Sequence, residues 1–131
     1  MMEKYSKLIQ AAIDARKNAY VPYSNFKVGA AVLTGDGKIF TGCNIENASY
    51  GLSMCAERVA IFKAVSEGYR DFAAIAVVAD TDDPVKPCGA CRQVMAEFGD
   101  MEVVMSNLKG DVKVMKLSTL LPEAFSPTDL K

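Results

Sequence analysis

Residues 72–80 read FAAIAVVAD. A strand with one wet face alternates polar and apolar residues, and this stretch does not. Its side chains are apolar on both faces, which predicts a strand buried in the middle of a sheet. The flanking segments carry a different period. In CAERVAIFKAVSEG (55–68), Ala56, Val59, Ala60, Phe62, Lys63 and Val65 fit a helix ending at Gly68, a good C-cap. CGACRQVMAEFG (88–99) fits a second short helix stopped by glycine. A strand covered on both sides and bracketed by helices indicates an α/β layered architecture.

The rest of the chain extends this pattern. Leu8, Ile9, Ala12, Ile13, Ala15 and Ala19 recur at helical steps from about residue 3 to residue 19. Pro22 and Ser24 break that run. Phe26, Val28, Ala30 and Val32 then alternate as a strand, and Asp36-Gly37 turns it into a partner strand at 38–45. MEVVMSN (101–107) and DVKVMKL (111–117) give two more strands, and STLLPEAF (118–125) begins a last short helix with Ser118 as N-cap. The expectation is a three-layer α/β/α sandwich around a five-stranded mixed sheet. No linker, repeat or low-complexity segment divides residues 1–131, which are expected to form a single domain.

Composition narrows the function. Half the residues are hydrophobic and 24% are charged, an ordinary globular balance. The net charge is −1 and no basic run occurs, which argues against nucleic acid and for a small ligand. No apolar run approaches the ~20 residues of a membrane span. The charged N-terminal sequence is unlike a cleavable signal, so the protein is expected to be cytoplasmic. Thiols stay reduced in that compartment, and the four cysteines are read as ligands or core residues rather than disulfides.

The chain contains no histidine, yet KPCGACRQV (86–94) holds a C-x-x-C pair. Cys55 opens one predicted helix, and Cys88 and Cys91 open the next. Unpaired N–H groups and the helix dipole stabilise thiolates at such positions. Three thiolates meeting at one sheet edge would leave a fourth position open, the arrangement of a catalytic zinc. A closed structural site that also uses Cys43 is an alternative, and so is a redox pair of Cys88 and Cys91 alone. Glu57, two residues after Cys55, can reach the open position and move protons for a water held there. Arg58, three residues after Cys55, shares its helical face and can offset the thiolates' charge, with Arg92 as a second candidate.

CAE (55–57) followed by PCGAC (87–91) matches the three-cysteine form of the zinc deaminase signature. PYSNFKVGAA (22–31), GCNIENASY (42–50), CAERVAIFKAVSEG (55–68) and LLPEAF (120–125) resemble the small homotetrameric cytidine deaminases over almost the whole chain. The resemblance implies hydrolytic deamination of cytidine and 2′-deoxycytidine to the uridines, in pyrimidine salvage, with one zinc per subunit on Cys55, Cys88 and Cys91. It implies Glu57 as the proton carrier and Arg58 beside the thiolates. Asn44 and Glu46 would bind ribose hydroxyls, Phe26 would line the pyrimidine pocket, and the backbone around Ala56 and Cys88 would contact the base. Phe125 and Tyr50 would reach a neighbouring subunit's site. Deaminases of other substrates share the metal motif, and a non-enzymatic zinc module is the remaining rival. NIEN (44–47) and the lack of a basic strip favour a free nucleoside.

Overall fold

The computed structural model describes residues 2–130. Four α-helices and five strands run in the order α1 (Ser6–Arg16), β1 (Val28–Thr34), β2 (Ile39–Cys43), α2 (Ala56–Ser66), β3 (Phe72–Ala79), α3 (Gly89–Ala96), β4 (Glu102–Asn107), β5 (Val112–Lys116) and α4 (Leu117–Leu120). The strands form one sheet in the order β2-β1-β3-β4-β5. Only β3 and β4 are parallel, so the sheet is mixed, with the apolar strand 72–79 at its centre.

Alternation along β3 divides the core in two. Ala74, Ala76 and Val78 pack with Leu8 and Ala12 of α1 on one face. Ile75 and Val77 face the other way, among Ala60 and Ile61 of α2 and Cys91 and Met95 of α3. The three layers expected from the sequence are present. The α1 face of the sheet is built from small residues, and this lets the helix come close. A Cβ added at Gly29 of β1 would lie 2.0 Å from the Ala12 carbonyl oxygen. That neighbour is backbone and cannot turn aside, so Gly29→Ala is expected to destabilise the fold by about 3 kcal/mol or more. Urea unfolding of the variant checks this, and a loss below about 1 kcal/mol would contradict so tight a contact.

Several boundaries and one cap differ from expectation, β1 for instance beginning at Val28 rather than Phe26. The first helix is shorter than residues 3–19. It opens as a 3-10 turn at Met2–Tyr5, and its α-helical part has no side-chain cap and no acidic residue in its first turn. At the other end, residues 17–19 close in a tight turn, because Tyr20 leaves to donate its N–H to the Asn44 carbonyl at 3.0 Å. β2 likewise stops at Cys43, since Ile45 bridges Tyr20 on one side and Met54 on the other. Ser118 is inside α4 rather than at its N-cap, which is Lys116. Asp100 does the capping from across the chain, accepting from the Ser118 N–H at 2.8 Å and its hydroxyl at 3.0 Å.

Strand ends gather at one edge. Val28 at the start of β1 pairs with Ala79 at the end of β3, and Gly29 with Cys43 at the end of β2. Gly42 allows α2 to press against this corner: an added Cβ would sit 2.5 Å from both the Ala56 oxygen and the Ala60 nitrogen. The beginning of α2 is thereby fixed beside Asn44. α3 begins after the loop that leaves β3, so two helix N-termini face the same edge.

Candidate active site

Cys55 is the N-cap of α2 and Cys88 the N-cap of α3, both with extended backbone and neither spending its side chain on a capping hydrogen bond. Cys91 lies in the first turn of α3 and is fully buried. Cys55 Sγ and Cys88 Sγ are 3.7 Å apart, and Cys88 Sγ donates to Cys91 Sγ at 3.5 Å. All three sulfurs lie within 4.8 Å of one another. Tetrahedral sulfur ligands at 2.3 Å from a zinc ion are separated by ~3.8 Å, so donor type, number and spacing fit that metal. Among the described residues Cys43 does not join this group. Burial raises the Cys43 thiol's pKa despite nearby Lys63, which marks it as a small hydrophobe in the sheet.

Charge within the trio is uneven. The Cys91 thiol and the Arg58 guanidinium both donate to Cys55, holding its pKa down to about 5, while Cys91 is correspondingly raised. Arg58 Nη2 reaches Cys55 Sγ at 3.4 Å, and its buried Nε has no oxygen partner. Interaction first with Cys55 and then with Cys91 raises the arginine's pKa above its usual value. Its positive charge therefore lies against the sulfurs. Arg92 does not: Nε donates to the Pro87 carbonyl and Nη1 to the Leu120 carbonyl, both at 2.9 Å. It ties the cysteine loop to the C-terminal segment, because its position on α3 aims it at these two carbonyls rather than at the thiolates.

Glu57 is the second residue of α2 and only 4% exposed. Burial is the main cause that pushes its pKa up to about 7, and the Cys55 thiolate adds to the rise. A carboxyl so tuned exchanges a proton near neutrality. It lines a cavity of about 220 Å³ together with Phe26, Asn44, Cys55, Ala56 and Cys88. Val28, Val77 and Val85 supply apolar wall, and Lys86 also borders the space. The valines and Lys86 escaped the sequence reading, since nothing in their local pattern marks a cavity wall.

A second cavity, of about 310 Å³, is lined by Tyr23, Ser24, Glu46, Tyr50 and Ser53. Tyr23, Ser24 and Glu46 come from the two segments, 23–26 and 44–46, that also border the first, and Tyr50 and Ser53 from the loop before Cys55. Asn44 Nδ2 donates to the Phe26 carbonyl at 2.8 Å, and its Oδ1 accepts from the Val28 N–H at 2.9 Å. Glu46 Oε1 accepts from the N–H groups of Tyr23 and Ser24 at 3.0 and 3.1 Å, and Oε2 accepts from the Ser24 hydroxyl. These bonds, the Ser24 hydroxyl foremost, keep the Glu46 carboxyl below its ordinary pKa. Of the candidates named from sequence, Phe26, Asn44, Cys55, Ala56, Glu57 and Cys88 share the first cavity, Glu46 and Tyr50 share the second, and Cys91 lies buried behind the first. Phe125 lies in neither cavity. It is 59% exposed on the C-terminal segment, where its carbonyl accepts from Gln93 at 2.8 Å.

Comparison with known proteins follows this geometry. The family model described as "Cytidine and deoxycytidylate deaminase zinc-binding region" matches residues 2–107. A cytidine deaminase of Sporosarcina psychrophila is 60% identical over 126 residues, covering 95% of this chain and 93% of the relative. One from Halalkalibacterium halodurans is 62% identical over 125 residues, covering 94% and 95%. A crystal structure of cytidine deaminase from Burkholderia pseudomallei superposes with a TM-score of 0.90 at 61% identity, covering 92% of this chain and 98% of that one.

Proposed function

The chain belongs to the cytidine and deoxycytidylate deaminase family, and we propose that it hydrolyses cytidine to uridine and ammonia with Glu57 moving the protons. Cys55, Cys88 and Cys91 would hold a zinc ion, which when bound would supply the Lewis acidity that makes water a nucleophile near neutral pH. The observation that carries the Glu57 assignment is a nearly buried carboxyl, tuned to about 7, on the same cavity wall as two ligand cysteines. Glu57 accepts one proton of the attacking water and gives it to ring N3. It then takes the second from the hydroxyl added at C4 and passes it to the departing amine as the C4–N bond breaks and the carbonyl forms. One carboxyl serves every step because donors and acceptors lie side by side around C4. Arg58 offsets the negative charge of three thiolates on a divalent ion.

The base occupies the cavity bordered by Phe26 and the Ala56 and Cys88 backbone, and Asn44 and Glu46 face the sugar. We extend the reading to the whole chain as one deaminase domain, acting in the cytoplasm in pyrimidine salvage; no helix among the described residues is long and apolar enough to cross a membrane. Assembly as a homotetramer is supported by aromatic side chains left outward: Tyr50, which lines the second cavity, is 74% exposed, and Phe125 on the C-terminal segment 59%. A neighbour's Phe125 and Tyr50 would then close over the base.

The family description spans nucleosides and nucleotides, and the second cavity separates them. It holds the Glu46 carboxylate and no lysine or arginine. A 5′-phosphate there would meet a like charge, and cytosine would leave the carboxylate without a sugar hydroxyl. Measured kcat/KM is expected to be high for cytidine and 2′-deoxycytidine. For cytosine and cytidine monophosphate it should fall by at least ~10²-fold. Efficient turnover of either poor substrate would leave the zinc chemistry standing and remove the nucleoside assignment.

A further inference from the structure

We propose that Ser24 is a positioning residue for the substrate's sugar, acting through Glu46; the inference rests on the reading above that Glu46 faces that sugar. A carboxylate offers about four acceptor sites on its two oxygens. Three are taken within this chain: the Tyr23 and Ser24 N–H groups fill Oε1, and the Ser24 hydroxyl takes one side of Oε2. One acceptor site remains for a sugar hydroxyl, and it is on the oxygen that Ser24 orients. The same hydroxyl oxygen accepts from the Phe26 N–H at 3.1 Å. Ser24 therefore links the group that meets the sugar to the residue that borders the base.

The surroundings fix this link. Asn25 sits at φ 59°, a left-handed conformation open to asparagine, and this lets the chain double back so that residues on both sides face Glu46 and Asn44. Its N–H donates to the Val21 carbonyl at 2.9 Å. Asn44 holds the far side of the turn through Phe26 and Val28. Without the Ser24 hydroxyl the turn keeps those anchors, and Glu46 keeps two N–H donors. What is lost is the direction of Oε2. The expected signature is thus weakened substrate binding in a folded enzyme rather than a damaged reaction step.

Steady-state kinetics of Ser24→Ala on the zinc-loaded enzyme test this, with Ser24→Thr, Glu46→Ala and the double variant alongside. Ser24→Ala is expected to raise KM for cytidine by about 10-fold, the scale of one charge-assisted hydrogen bond, with kcat changed less than about threefold. Ser24→Thr, which restores the hydroxyl, should return KM to within about threefold of the parent. In the Glu46→Ala background Ser24→Ala should add almost nothing, because no carboxylate remains to be aimed. An unchanged KM in Ser24→Ala beside a raised KM in Glu46→Ala would overturn the role of Ser24 alone. Multiplying penalties in the double variant would do the same, showing that Ser24 only supports the turn. An unchanged KM in Glu46→Ala would sink the sugar assignment itself and the proposal with it.

Discussion

Glu57→Gln is expected to keep the fold and the zinc while turnover of cytidine drops by ~10²–10⁴-fold, the range of general acid–base catalysis. The argument begins with burial. Desolvation is the main reason the Glu57 carboxyl stands at about 7, well above the ordinary carboxylate range. A neutral amide of the same shape therefore suits that pocket at least as well as a carboxylate, and no large folding penalty follows. The amide cannot accept a proton from water or return one to N3, so the loss falls on the chemical steps. It corresponds to about 3–5 kcal/mol of transition-state stabilisation. Circular dichroism, zinc content and kcat are measured on one preparation. Turnover within about 10-fold of the parent, in protein carrying one zinc per chain, would remove Glu57 from the mechanism.

How legible was this in the sequence? Local pattern revealed whatever local pattern causes. The unbroken apolar run at 72–79 had to be a central strand, since both its faces needed cover. Gly68 and Gly99, at φ 98° and 109°, marked helix ends because they adopt a conformation costly for other residues. Cys55 and Cys88 could be placed at helix starts for the same local reason. Long-range pairings were not readable. Arg92 was a plausible partner for thiolates until the Pro87 and Leu120 carbonyls took both of its arms. Ser118 looked like a cap, but Asp100, eighteen positions earlier, supplies the capping carboxylate. Ser24 and Glu46 are 22 residues apart, and only the folded chain makes them neighbours. The glycines at 29 and 42 were visible as letters. The helix backbone that requires them was not.

Removal of one ligand separates the three readings of the cysteines. Cys88→Ala is expected to empty the site, and Cys43→Ala to leave it full. Cys88 is exposed and makes no capping hydrogen bond, so alanine there creates no buried cavity and strands no helix donor that was previously satisfied. Loss of metal will consequently not be a by-product of unfolding. Even changes to groups that only support a ligand cost ~10–100-fold in metal affinity, and losing one of three thiolates should exceed that. Cys43, at the end of β2, pairs across the sheet with Gly29 and stands outside the sulfur cluster. Zinc per chain is measured after dialysis against a chelator, for the parent, both variants and Cys55→Ala. The expected pattern is one zinc in the parent and in Cys43→Ala, and almost none in the other two. An empty Cys43→Ala site would mean a closed four-cysteine structural centre. A redox pair would need only Cys88 and Cys91, and would survive Cys55→Ala with its thiol chemistry intact and no dependence on zinc. Loss of zinc and cytidine turnover together in Cys55→Ala excludes it, because the sulfur at the start of α2 is then shown to act with the two at the start of α3.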